Sequence, residues 1–177
     1  MKFEITAHQP RAIIEAVAEK MGVSTHSDFQ ETTLQLPETH GKGKIFGFDF
    51  GNGLGVLVTD CELQDSWQLT FDMKPPPVLL SFDVEYSIQY FFNAGETMSK
   101  NTPLQGTISA GTIGNTQRFV LSENTRLNLV LIFLQRDFYF NKYDPVLEEL
   151  PEKLQNLFSD RQGIIPFSLG FFKFAKY

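Results

Sequence analysis

The sequence predicts a mainly β protein, an antiparallel sandwich or barrel with one helix ahead of it and helical segments behind it. Two observations carry this. Between Ile45 and about Tyr139, short runs suited to strands alternate with turn residues, giving about eight strands in about 95 residues. Outside that region the apolar spacing changes from two residues to three and four, the period of helices.

The first helix is expected over Pro10 to Met21. Ile13, Ile14, Val17 and Met21 recur at helical spacing, Pro10 suits a first turn and Gly22 follows the end. A polar stretch from Ser24 to Lys44, with Pro37 and Gly41-Lys-Gly43, is expected to be a connecting arm with a strand at Thr32 to Leu36. The strands expected next are 45–50, 54–61, 66–72, 78–84, 86–92, 107–113, 116–121 and 125–134. The run from Leu127 to Leu134 is apolar enough for a strand covered on both faces.

The first hairpin is the most specific. Asn52-Gly53 suits the positive φ angles of a two-residue type I′ turn, which sets Gly51 opposite Leu54. Counting back without interruption puts Phe50 opposite Gly55, Phe48 opposite Leu57 and Phe46 opposite Thr59. That register gathers three rings on one face, which is expected to line the barrel interior. After the strands, Asp144-Pro145 has the form of a helix cap and first-turn proline, and a second short helix is expected near Pro151. Phe167, Phe171, Phe174 and Tyr177 then suggest a helix from Pro166 still running at the last residue.

Composition narrows the function. The chain has 177 residues, 42% hydrophobic and 20% charged, enough for one well-buried domain. A net charge of −6 argues against a surface that grips a phosphate backbone. The single cysteine, Cys61, excludes an internal disulfide, and with no apolar stretch of signal or membrane-spanning length the chain is expected to be cytoplasmic with an inert thiol. His8, His26 and His40 all precede the strands without a His-x-His pair, so no metal centre and no cofactor is expected. Gly51-Asn-Gly53-Leu54-Gly55 lacks the lysine and helix of a phosphate loop.

Aromatic residues are the remaining signal. Phe46, Phe48, Phe50, Phe82, Tyr86 and Tyr90 are the candidate ligand-binding rings, since a concave site uses large rings with a few polar handles, although a sandwich core uses the same rings. Gln117 and Arg118 precede Phe119 on opposite strand faces; Arg118 aimed inward would need an acidic ligand, and a surface arginine is the default.

The order of parts resembles the N-terminal half of AraC/XylS-type transcription regulators, closest to the siderophore-responsive branch. The resemblance rests on "LQLP" in the arm, "GKGKIFGFDFGNGLGVLVTDCEL", "LTFD", "PPPVLLSFDVEYSIQYFF", "TQRFVLSENTRLNLVLIFL" and "DPVLEELPEKLQNLF", about residues 32 to 160. It implies a cupin-like jelly-roll barrel that takes a small effector, followed by helices that pair two subunits through Leu147, Leu150, Leu154, Leu157 and Phe158. It divides the chain into a helix and arm (1–44), a barrel (45–140) and a helical dimerisation and linker segment (141–177). DNA would be bound only by a further C-terminal domain, with the helix from 166 leading toward it. The chain is expected to be a homodimer and no enzyme. Two other readings stay open: a metal-free cupin-fold enzyme of sugar isomerase or epimerase type with Glu85, Tyr86 or Tyr90 as base, and a carbohydrate- or peptide-binding module displaying Trp67 and the tyrosines.

Overall fold

A computed structural model describes residues 1–83, 88–92, 96–100, 105–112, 116–143, 151–158 and 163–168. In chain order the elements are β1 (Lys2–Ile5), α1 (Pro10–Met21), β2 (His26–Asp28), β3 (Glu31–Gln35), β4 (Gly41–Gly51), β5 (Leu54–Leu63), β6 (Trp67–Phe71), β7 (Val78–Asp83), β8 (Ile88–Phe92), β9 (Glu96–Lys100), β10 (Gln105–Ala110), β11 (Gln117–Leu121), β12 (Arg126–Leu134), α2 (Arg136–Tyr143), α3 (Glu152–Phe158) and β13 (Gly163–Ser168).

The strands form two sheets, ordered β1-β6-β11-β8-β9 and β13-β10-β7-β12-β5-β4-β3-β2. Their logic is a long hairpin folded over itself. Antiparallel pairing joins β5 to β12, β6 to β11, β7 to β10 and β8 to β9, so the eight central strands pair first with last and inward. Links β7·β12 and β8·β11 then assemble two four-stranded sheets, the jelly roll expected of a cupin-like domain. β4, β3 and β2 widen one sheet at one edge and β13 at the other; β1 adds a parallel strand beside β6.

All eight strands expected between Ile45 and Leu134 are present, and α1 spans the expected residues with Gly22 left-handed at φ 68° after its last turn. β1, β2, β9, β13 and α2 are additional. Phe3, Ile5, Ile13, Ile14, Val17, Leu34 and Leu36 share one core with Leu57, Trp67, Phe71, Phe119, Leu129 and Phe133. The segment expected as an arm is therefore built into the barrel. Pro166 does not open a helix. It lies in β13 opposite Thr107, on an edge strand where a missing N–H is tolerated, while residues 169–177 and the Asp144-Pro145 cap lie outside the described residues.

The hairpin register is corrected by one residue. Gly51 does face Leu54, but Phe50 is an extra residue, and beyond it Asp49 faces Gly55, Phe48 faces Val56, Gly47 faces Leu57, Phe46 faces Val58 and Ile45 faces Thr59. A one-residue slip sends every side chain to the other face of the sheet. Ile45, Leu57 and Thr59 are buried inside, whereas Phe46 and Phe48 lie on the outer face and Phe50 is exposed.

The bulge also makes room for α1. Gly47 and Gly55 present bare backbone to its first turn: a Cβ on Gly47 would sit 2.7 Å from Pro10 Cβ, and one on Gly55 would sit 2.5 Å from Pro10 Cδ. Asp49, turned inward, accepts the Arg11 backbone N–H at 3.2 Å, one of the first-turn donors that the helix leaves unpaired. The Gln9 cap position itself makes no side-chain capping bond.

Gly55→Ala and Gly47→Ala should each unseat the first turn of α1 and destabilise the fold by about 1–3 kcal/mol, as overpacking does. Urea unfolding checks this, with Gly22→Ala as a comparison: its left-handed backbone is strained by a side chain but its surroundings are open.

Candidate functional site in the interior of the roll

The space between the sheets has two unlike halves. Under α1 it is apolar: Ile13, Ile14 and Val17 meet Leu34, Ile45, Leu57, Leu69, Phe71, Leu121, Leu127, Leu129 and Leu131 around a residual cavity of about 30 Å³. That is the room of a single water, so this half is a packed core. Thr59, its one polar group, is satisfied, accepting the Leu129 N–H at 3.0 Å and donating to the Leu127 carbonyl at 3.2 Å.

Toward β7, β10 and β11 the inner face turns polar. Ser81, Asp83, Thr107, Ser109 and Gln117 are all buried. Register explains their direction: Thr107 lies opposite Ser81, which faces Leu131 on its other side, Ser109 lies opposite Leu79, which faces Phe133, and Asp83 lies opposite Leu129, all on the face that carries the core leucines. Ser81 and Thr107 hydrogen-bond through their hydroxyls. Ser109 Oγ and Gln117 Nε2 are buried with no hydrogen-bond partner among the described residues. Gln117 lies opposite Phe71, whose ring is 6.4 Å from that of Phe133 in the Ser109 row. Register also sets Tyr90 opposite Phe119 on this sheet. Leaving a buried polar atom unpaired costs about 1–3 kcal/mol, so two such atoms mark a place where a ligand's hydrogen bonds would be strongly favoured.

The residues that sequence reading proposed for a ligand do not converge here. Phe46, Phe48 and Phe82 are half-buried on the outer face of the large sheet, and Phe50 is exposed at the bulge. Arg118 also points outward, with its guanidinium 4.5 Å from the centre of the Phe91 ring. Tyr86 and Glu85 lie outside the described residues, and Tyr90 is described by its backbone alone. Trp67 is buried against Phe3 at 5.0 Å and offers no exposed platform. Of the residues proposed for pairing, Leu147 and Leu150 lie outside the described residues and Leu154 is half-buried. Leu157 and Phe158 pack on their own sheet against Val78 and Ala110. Gln117 was singled out in the sequence, but Ser81, Thr107 and Ser109 were missed because alternation in "VLLSFD" and "GTISA" suggests a solvent face for serine and threonine, whereas in β7 and β10 both faces are covered.

A second recess of about 270 Å³ lies where α1 begins, lined by His8, Gln9, Asp49, Asn52, Gln135 and Phe138. Burial holds the His8 imidazole below its ordinary 6.5, opposed by the charge of Asp137. Burial also raises Asp49 above 3.8, with the charge of Glu15 adding to it and the Arg11 N–H and guanidinium opposing it. Cys61 is pushed up to about 12 by burial and by the Asp60 charge, which leaves an unreactive thiol. Among the described residues no group of three or more His, Cys, Asp or Glu side chains is placed to hold a metal ion, and no helix is long and apolar enough to cross a membrane.

No family model matches the chain, and no curated protein matches it. Among solved structures it is similar to vicilin from Corylus avellana (hazelnut), at 12% identity and a TM-score of 0.33, covering 77% of this chain and 49% of that one. The chain thus spans about half the length of that protein. The class that fold and site define, a jelly-roll domain with a polar pole inside, rests on strand order and burial.

His8 sets a pH dependence of stability. A folded-state value below 6.5 means that its contribution is complete above that pH and is lost as the pH falls through it and toward the depressed value. Asp49 has the opposite sign in a lower window, its contribution being present below 3.8 and lost as the pH rises through the raised value. Urea midpoints measured from about pH 7 to about pH 5 should therefore fall more steeply for the wild type than for His8→Gln.

Proposed function

We propose that this chain is the effector-sensing and dimerisation part of an AraC/XylS-type transcription regulator, a non-enzymatic jelly roll that takes a small molecule at the polar pole between its sheets. The observation that carries the reading is the pair of buried, unpartnered groups, Ser109 Oγ and Gln117 Nε2, on the inner face beside Ser81, Thr107 and Asp83. In this reading the effector completes their hydrogen bonds. It works as a switch because it binds one arrangement of the roll more tightly than another, and that difference in affinity sets how far the equilibrium moves. DNA contact belongs to a separate C-terminal domain in such regulators.

Thermal unfolding across a panel of metabolites, sugars and iron chelates tests this. An effector should raise the midpoint of the wild type by mass action and be recovered unchanged. Ser109→Ala and Gln117→Leu should abolish that rise while leaving the ligand-free midpoint equal or higher, because each removes an unpaired polar atom from the interior. Turnover of the compound would point to an enzyme instead, and a panel without any stabilising compound would count against sensing.

A further inference from the structure

The recess at the start of α1 lies outside the interior that the sensing reading uses, and three elements enclose it. Gln9 and Pro10 open α1 on one side, Asn52 and Gly53 form the β4–β5 turn, and Gln135 and Phe138 close it from the start of α2. The Gln135 backbone N–H donates to the Gly53 carbonyl at 2.8 Å, and Phe138 packs so closely on the turn that a Cβ on Gly53 would sit 2.7 Å from the Phe138 Cβ. The volume of about 270 Å³ falls just under the roughly 300 Å³ at which sites for drug-sized molecules begin, so an occupant has only a few heavy atoms.

The charges around the recess leave a negative balance. Asp49 lines it and uses one oxygen, Oδ2, on the Arg11 N–H, which leaves Oδ1 as an acceptor. Asp137, in the first turn of α2, stands close enough to act on the His8 imidazole. Arg11 turns its guanidinium to Glu15 at 2.8 Å, and the two act on Asp49 with opposite signs. Arg136 is buried and donates to the Gly111 carbonyl at 2.9 Å, on the β10 side of the sheet and away from β5. Each helix start brings roughly half a positive charge, so the two offset about one of the carboxylates. About one negative charge remains, that of a single carboxylate. It stands beside a neutral imidazole, the Gln9 and Gln135 amides and the Phe138 ring, and no lining side chain among the described residues is cationic. An anion is disfavoured there. A metal ion lacks ligands, since no group of three His, Cys, Asp or Glu side chains converges among the described residues.

We infer that this recess is a second binding site, for a small primary amine in its ammonium form. The N–H donors of an ammonium match the acceptors on hand, which are the Asp49 carboxylate, the neutral imidazole nitrogen of His8 and the amide oxygens of Gln9 and Gln135. Its charge is met by Asp49 and by the Phe138 ring. Protonation of the protein works against it on both sides. As the pH falls, His8 gains a positive charge and Asp49, which burial raises above 3.8, loses its negative one. The recess shares no side chain with the polar pole between the sheets, so its failure and the failure of the sensing reading are separate results.

Three probes of matched size test it: ethanolamine, ethylene glycol and glycolate, each titrated at constant ionic strength while the amide NMR signals of Asn52, Gly53 and Gln135 are followed. At about pH 7 ethanolamine is expected to shift them with a dissociation constant of about a millimolar, within the ceiling for a ligand of so few atoms, and the other two to leave them in place. Affinity should fall between about pH 7 and about pH 5. Asp49→Asn, which keeps an acceptor for the Arg11 N–H, should weaken binding at least about tenfold, and Phe138→Leu about threefold. His8→Lys should fill the recess with its own ammonium, abolishing binding while raising the thermal midpoint, which a damaged fold would not do. Ser109→Ala should leave ethanolamine binding unchanged. Equal shifts by glycol or glycolate, no shift at about ten millimolar, or binding indifferent to Asp49→Asn would overturn the assignment. Binding that Ser109→Ala abolishes would also overturn it, by placing the amine at the polar pole.

Discussion

The architecture depends on the extra residue at Phe50. With it, the inward positions of β4 are Ile45, Gly47 and Asp49; without it they would be Phe46, Phe48 and Phe50. Three rings would then occupy the volume where α1 lies against Gly47 and Gly55, and no carboxylate would meet the Arg11 N–H. The register of one hairpin thus decides what fills the apolar half of the roll. It places a helix there, with Ile13, Ile14 and Val17 closing the space to a cavity of about 30 Å³.

The two halves of the interior obey opposite rules. Under α1 the burial of aliphatic side chains stabilises the fold at about 25 cal/mol per Å², and the polar Thr59 is fully bonded. Around Ser109 and Gln117 polar atoms are buried without that compensation. A core selected for packing alone would carry apolar side chains at those positions, because removing an unpaired group is neutral or stabilising. Within one sheet Thr59 is satisfied and Ser109 is not; the Trp67 indole N–H, buried against Phe3, is also unpaired among the described residues, so the candidate site rests on Ser109 and Gln117 lying beside the buried Ser81, Thr107 and Asp83.

Much of the fold was legible because it is written in local patterns. The period of two between Ile45 and Leu134 and the proline and glycine that bracket α1 act over a few residues, and those elements stand where they were expected. The register was not legible. Asn52-Gly53 announces the turn, and both residues do have positive φ, but whether the strands then pair without interruption depends on α1 needing glycine and aspartate beneath it. That demand comes from the first turn of α1, with Arg11 38 positions from Asp49, and cannot be seen in a hairpin-length window. Arg118 takes the surface direction that is the default for an arginine: its strand alternates as expected, and the ring that receives it, Phe91, is on a neighbouring strand. Pro166 suggested a helix start because the edge position that accepts it in β13 is a property of the sheet.

Nested pairing also has a consequence for how the chain comes into being. During synthesis β4 and β5 are available once Leu63 has emerged, and with them the glycine floor beneath α1. The strand that completes the core beside β5 is β12, which ends at Leu134, and the Thr59 hydroxyl binds a backbone N–H 70 residues further on. Until then the apolar faces of the helix and the hairpin have chiefly each other to pack against. A nascent chain of this topology therefore carries half a core through much of its translation, the interval in which contacts of long sequence separation fold slowly and exposed strand edges invite wrong partners.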